Sequence, residues 1–133
     1  MADSSNPFED APVIFSYTRQ QAIEDGVLVD LTEWARETGF VIPVACTSEV
    51  WHGHIEPPPD TAELGQSQRG RAHDVLWMLY LAIRKGANSN EQLMFEVAFL
   101  QASGRVESVQ LKAICGPGDH GEPVLTILMP HED

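Results

Sequence analysis

A chain of 133 residues, 43% hydrophobic and with a net charge of −12, has the apolar mass of one folded domain. Its charge repels nucleic acid and anionic lipid, which excludes direct binding to either and favours a basic protein surface as partner. The longest apolar stretch, Val75 to Ile83, is too short for a bilayer, and Met1 to Pro12 lacks the cationic start and apolar run of a secretion signal, so a cytoplasmic chain is expected.

The charge is uneven. Residues 1–63 hold twelve acids against Arg19 and Arg36, a balance of −10, whereas residues 64–133 hold eight acids and six bases. Cys46 and Cys115 stand far apart and are expected to be buried or inert thiols rather than a bridge.

Residues 1–12 read as a flexible acidic tail, and 13–133 as a single domain. Val13 to Phe15 predicts a short strand. Ser16 or Thr18 offers a cap for a helix over Arg19 to Asp25, which Gly26 ends. Val27 to Leu31 reads as a strand or extended segment. Thr32 is expected to cap a helix over Glu33 to Thr38, closed by Gly39. Phe40 to Ala45 is extended, and Pro43 argues against a central strand position. Thr47 or Ser48 then caps a third short helix, from Glu49 through His52. Glu56-Pro57-Pro58-Pro59-Asp60 stops it, and 57–70 is expected to be a surface loop.

Arg71 to Lys85 is the strongest predicted helix. Val75, Leu76, Leu79, Ala82 and Ile83 form a stripe that Trp77, Tyr80 and Leu81 widen, so the helix is expected at the buried centre of the domain, with Gly86 as its stop. Period-two alternation then marks three strands. Leu93 to Gln101 carries Leu93, Phe95, Val97 and Phe99 on one face. Ala102-Ser103-Gly104-Arg105 turns the chain into Val106 to Cys115, whose inward set is Val109, Leu111, Ala113 and Cys115. Gly116 to Gly121 is a second turn, and Val124 to Met129 is the last strand. The expected architecture is α+β: a three-stranded antiparallel C-terminal sheet packed on a long central helix, with short helices in the N-terminal half.

No spacing marks catalysis. His52-x-His54-x-Glu56 is the best metal candidate, but a helix end sends residues two apart in different directions and no further ligand is marked, so no metal or other cofactor is expected. His73 and Asp74 are helix neighbours that cannot face each other. Cys115 sits in an inward strand set, which favours packing over nucleophilic chemistry. Gly116-x-Gly118-x-x-Gly121 precedes a strand rather than a helix, and so reads as a turn instead of a dinucleotide loop. Arg69-Gly70-Arg71 is too small a basic spot for nucleic acid. Trp34, Trp51 and Trp77 read mainly as core, although Trp34 lies between Glu33 and Glu37 and is a candidate interface anchor.

Val13-Ile14-Phe15-Ser16-Tyr17-Thr18-Arg19-Gln20-Gln21-Ala22, Asp25-Gly26-Val27-Leu28-Val29-Asp30, Gly39-Phe40-Val41-Ile42-Pro43-Val44-Ala45 and Asp74-Val75-Leu76-Trp77-Met78-Leu79 together resemble a family of small acidic proteins of unknown function carried on plasmids, phages and integrative elements. The resemblance covers roughly residues 13 to 129 and brings no catalytic motif. It implies a genomic setting in which small acidic proteins often blunt host defence.

The leading expectation is therefore a non-catalytic anti-defence inhibitor, of anti-CRISPR or anti-restriction type. Its acidic surface would imitate nucleic acid and dock on a basic, nucleic-acid-handling host complex. Glu24, Asp25, Asp30, Glu33, Trp34, Glu37 and Glu49 are the expected partner-binding residues. An antitoxin-like or replication-accessory partner protein of a mobile element is the alternative, and a small enzyme with metal at His52 and His54 the third reading.

Overall fold

Thr18 sets the first helix. Its hydroxyl accepts the Gln21 N–H at 3.0 Å while the Gln21 side chain accepts the Thr18 N–H at 2.9 Å, a reciprocal cap that starts α1 (Arg19–Glu24). The computed structural model describes residues 17–59, 61–85 and 92–132. The predicted tail 1–12, the predicted strand Val13 to Phe15 and the predicted stop Gly86 lie outside them. Gly26, at φ +80°, turns the chain from α1 into β1 (Leu28–Asp30).

Thr32 is not the cap of the second helix, as expected, but the first residue of α2 (Thr32–Thr38). Its hydroxyl donates to Asp30 Oδ1 at 2.5 Å and accepts the Val44 N–H at 3.2 Å, so it joins helix to sheet instead. Gly39 ends α2 at φ +124°, and a Cβ there would lie 3.2 Å from Tyr80 Cε1, so only glycine fits both the backbone and the approach.

The expected three-stranded sheet is corrected to five strands. β2 (Val44–Thr47), β3 (Gln92–Leu100), β4 (Val106–Pro117) and β5 (Pro123–Leu128) join β1 in the order β1-β2-β5-β4-β3. The antiparallel meander β3-β4-β5 is as expected, but β2 adds parallel to β5 and β1 antiparallel to β2. Pro43 does not keep its neighbours out of the sheet interior. It stands one residue before the ladder, where its missing N–H costs nothing, and its carbonyl accepts the Leu125 N–H at 2.9 Å.

Thr47 caps the next helix, its hydroxyl accepting the Val50 N–H at 3.3 Å. α3 (Ser48–Val50) continues directly into a wider π-helical turn, Trp51–Ile55. The predicted loop 57–70 is interrupted by a 3₁₀ turn at Ala62–Leu64 and gives its last three residues to a helix. Ser67 accepts the Gly70 N–H at 3.0 Å and starts α4 (Gln68–Arg84).

α4 lies across one face of the sheet. Ala72, Val75, Leu76 and Leu79 pack into a core with Val44, Cys46, Phe95, Val97, Phe99, Leu111, Ala113 and Ile127. Each large side chain so buried contributes about 1.5–3 kcal/mol. The expectation of a helix buried on most sides is corrected: Trp77, Met78 and Ile83 are 42%, 38% and 40% exposed, because the sheet covers one side of α4 only.

Two contacts distant in sequence close the opposite face. The Asp119 carboxylate, on the β4–β5 turn, accepts the N–H groups of Arg19 (2.7 Å) and Gln20 (3.0 Å) at the start of α1, and these bonds hold its pKa below the usual carboxylate value. Arg19 in turn donates to Thr126 Oγ1 and the Leu125 carbonyl of β5. At the other end, buried Lys112 donates to the carbonyls of Pro130 and Glu132, while the Glu132 carboxylate accepts from Thr47 Oγ1 at 2.8 Å and the Met129 N–H at 2.7 Å. Among the described residues no helix is long and apolar enough to cross a membrane.

Candidate functional site

α2 buries Ala35 against the core and turns Glu33, Arg36 and Glu37 outward, with Trp34 half-buried between the two sides. Trp51 comes from the start of the π-helical turn. The two indoles lie nearly parallel, 18° apart in plane and 6.3 Å between centroids. Together with Asp30, Leu31 and Glu33 they line a cleft of about 370 Å³. Asp30 Oδ1 is committed to the Thr32 N–H (3.0 Å) and hydroxyl, which fixes the carboxylate at the cleft rim. Glu33 stands exposed beside it.

A second depression of about 330 Å³ shares Trp34 as its wall and is lined by Glu37, Ser67, Arg69, Gly70 and His73. The Arg69 guanidinium lies 5.8 Å from the Trp34 ring centroid and donates to Glu37 Oε1 at 2.5 Å. Both partners are about 60% exposed, so the pair contributes little to stability while neutralising Glu37.

Of the expected partner-binding residues, the fold brings Asp30, Glu33 and Trp34 together, with Glu37 on the adjoining side of Trp34. Glu24, Asp25 and Glu49 do not line the cleft. Glu24 accepts from Gln20 Nε2 at 3.2 Å, Asp25 from the Tyr17 hydroxyl at 2.7 Å, and Glu49 meets His131 Nε2 at 2.7 Å. Trp51 and Arg69 were missed as site residues. An indole on a π-helical turn and an arginine 35 positions from Trp34 leave no periodic trace in the chain.

The other candidates separate. His52 Nδ1 lies 2.8 Å from Glu56 Oε1, whereas the His54 ring stacks on Phe99 with centroids 5.5 Å apart, so the three do not converge on one point. Among the described residues no three His, Cys, Asp or Glu side chains group as metal ligands. His73 stacks on Trp77 rather than meeting Asp74. Burial pushes the Cys46 thiol up to about 12, which keeps it protonated and unreactive at neutral pH. Arg71, read as half of a basic spot, is 2% exposed and belongs to the interior. Trp77, read as core, is exposed on the outer side of α4 beside Tyr80, 5.7 Å away.

His54, on the same π-helical turn as Trp51, gives the stability of the fold a pH dependence. Burial lowers its pKa from the ordinary value and the Arg71 charge adds to this, while Glu107 and Glu49 oppose it. As pH falls below about 6.5 the unfolded chain therefore takes up this proton first. Stability is fully present above that pH and is lost as pH falls through the lower folded value. The melting temperature is expected to drop more between pH 7.5 and 5.5 in the native chain than in His54→Phe, which keeps a ring on Phe99 without the titration. Equal drops would mean that His54 titrates as it does in the unfolded chain.

An aromatic wall flanked by exposed carboxylates suits the reception of a cation, since the ring face and the carboxylates attract the same charge. A family model described as a family of unknown function (DUF6573) matches residues 4–133. No curated protein and no solved structure matches the chain.

Proposed function

The chain belongs to the DUF6573 family of unknown function, and from that premise we propose that it is a non-catalytic inhibitor that docks on the basic surface of a host nucleic-acid-handling complex. The observation that carries the reading is the cleft of Asp30, Glu33, Trp34 and Trp51, whose lining holds two carboxylates, two indoles and no basic side chain. An indole anchor surrounded by acids is the composition of an interface that meets a cationic partner. The −10 balance of residues 1–63 steers such a partner toward this side of the sequence. The resemblance to acidic proteins of plasmids, phages and integrative elements supports an anti-defence role, against a CRISPR effector or a restriction enzyme, in the host cytoplasm. Carboxylates there imitate phosphates and occupy a channel built for DNA or RNA.

Phage plating on hosts with an active CRISPR or restriction system, with and without this chain, tests the reading. Rescue of a targeted phage in one system is expected, and co-purification then identifies the complex. No rescue across several systems overturns the anti-defence role. With the complex in hand, Glu33→Lys is expected to weaken binding about tenfold and to flatten its salt dependence, because it reverses an exposed carboxylate at the cleft. Glu37→Lys is expected to do less, since Arg69 already neutralises Glu37. Unchanged affinity and salt slope in both variants would remove this patch from the interface.

A further inference from the structure

We infer that the Trp34–Trp51 cleft is a seat for a single guanidinium group, so that the partner enters it with an arginine side chain. This deepens the docking reading and rests on it for the identity of the macromolecule, though not for the chemistry of the seat.

The chain contains its own precedent. Trp34 is the common wall of two depressions. On one side, Arg69 sets its guanidinium 5.8 Å from the ring centroid and pairs with the Glu37 carboxylate at 2.5 Å. The other depression brings together the same two kinds of group, the stacked indoles of Trp34 and Trp51 and the carboxylates of Asp30 and Glu33. Asp30 spends Oδ1 on Thr32, and no described residue donates to its Oδ2. Glu33 accepts no bond from a described residue. A cation entering the cleft is therefore met by the exposed Glu33 carboxylate beside the stacked indoles, with Asp30, which also feels the Arg19 charge, at the rim.

Guanidinium suits this seat better than ammonium. It is planar, weakly hydrated and stacks on rings while its edge donates to carboxylates, whereas a lysine ammonium is a compact, strongly hydrated point charge. The volume, about 370 Å³, holds one such side chain and not a folded element. Glu33 supplies charge without holding the fold, which makes it the residue to test.

The probe is N-acetyl-arginine amide, titrated into the full chain with the indole N–H resonances of Trp34, Trp51 and Trp77 followed by NMR. N-acetyl-citrulline amide, which has the same shape without the charge, is the control. Saturable shifts of Trp34 and Trp51 with the arginine compound are expected, with Trp77 unmoved. Glu33→Gln, whose fold is verified from the same spectra, is expected to weaken the binding about fivefold. Equal shifts with citrulline, shifts spread over all three indoles, or no effect of Glu33→Gln would overturn the seat. Failure of the two readings is separable. Phage rescue without saturable binding of the probe leaves the docking role and removes the seat. Saturable binding without rescue keeps the seat and removes the anti-defence role.

Discussion

Arg71→Ala is expected to lower the unfolding free energy by about 3–5 kcal/mol, among the largest effects open to a single side chain here. Arg71 is fully interior, yet among the described residues none of its bonds goes to a carboxylate. Its Nε donates to the His54 carbonyl at 2.6 Å, and Nη1 reaches the Leu100 carbonyl at 2.8 Å and Gln66 Oε1 at 2.9 Å. The guanidinium also lies 4.7 Å from the Phe99 ring centroid. One side chain on the first turns of α4 thus ties together the π-helical turn, the loop before α4 and the end of β3. Truncation leaves two carbonyls without a donor, at about 1–3 kcal/mol each, and opens a cavity in addition. Arg71→Lys keeps the charge but not the planar fork, so it is expected to recover only part of the loss. Urea unfolding with an unchanged slope measures both. A loss below about 1 kcal/mol for Arg71→Ala would show that these three segments hold together without it.

Trp34→Ala is expected to cost partner binding about 2 kcal/mol or more, some thirtyfold in affinity, while the fold persists. Trp34 is half-buried, and it walls both depressions of the candidate site. Its removal deprives Trp51 of its stacking partner and the Arg69 guanidinium of its ring at once. Trp77→Ala is the matched control, since Trp77 is an exposed indole that lines neither depression. Circular dichroism and melting temperature verify folding in each variant, and loss of phage rescue reads the function. Rescue by Trp34→Ala equal to that of the native chain would remove Trp34 as an anchor.

Much of the C-terminal half was legible in the residues. The alternation of Phe95, Val97 and Phe99, and of Leu111 with Ala113, marks an inward face because side chains on a strand alternate by geometry alone. Of the hydroxyls offered as caps, Ser16 or Thr18 and Thr47 or Ser48, the two threonines cap their helices, because a hydroxyl at that position captures the orphan N–H groups of the first turn. Val27 to Leu31, expected as a strand or extended segment, holds β1, but neither it nor β2 was expected in the sheet. β1 and β2 span three and four residues, too few for a period to show, and Pro43 argued against the sheet although its missing N–H falls outside the ladder. Arg71 was misread as a surface base because its partners are backbone carbonyls 17 and 29 residues away, which no spacing encodes.

The same distinction applies to the candidate site. The acid excess of residues 1–63 and the setting of Trp34 between Glu33 and Glu37 are properties of composition and local order, so the chain alone determined that an acidic, aromatic surface exists. Which acids remain available was decided by tertiary structure. Glu37 meets Arg69 across 32 positions, Glu49 meets His131 from near the C-terminus, Asp25 accepts the Tyr17 hydroxyl and Asp30 holds Thr32 near Arg19, whereas Glu33 stays exposed beside Trp34 and Trp51. An ion pair forms only where the folded backbone brings two side chains within about 4 Å, and that distance is set by the packing of α2 against α4 rather than by separation along the chain.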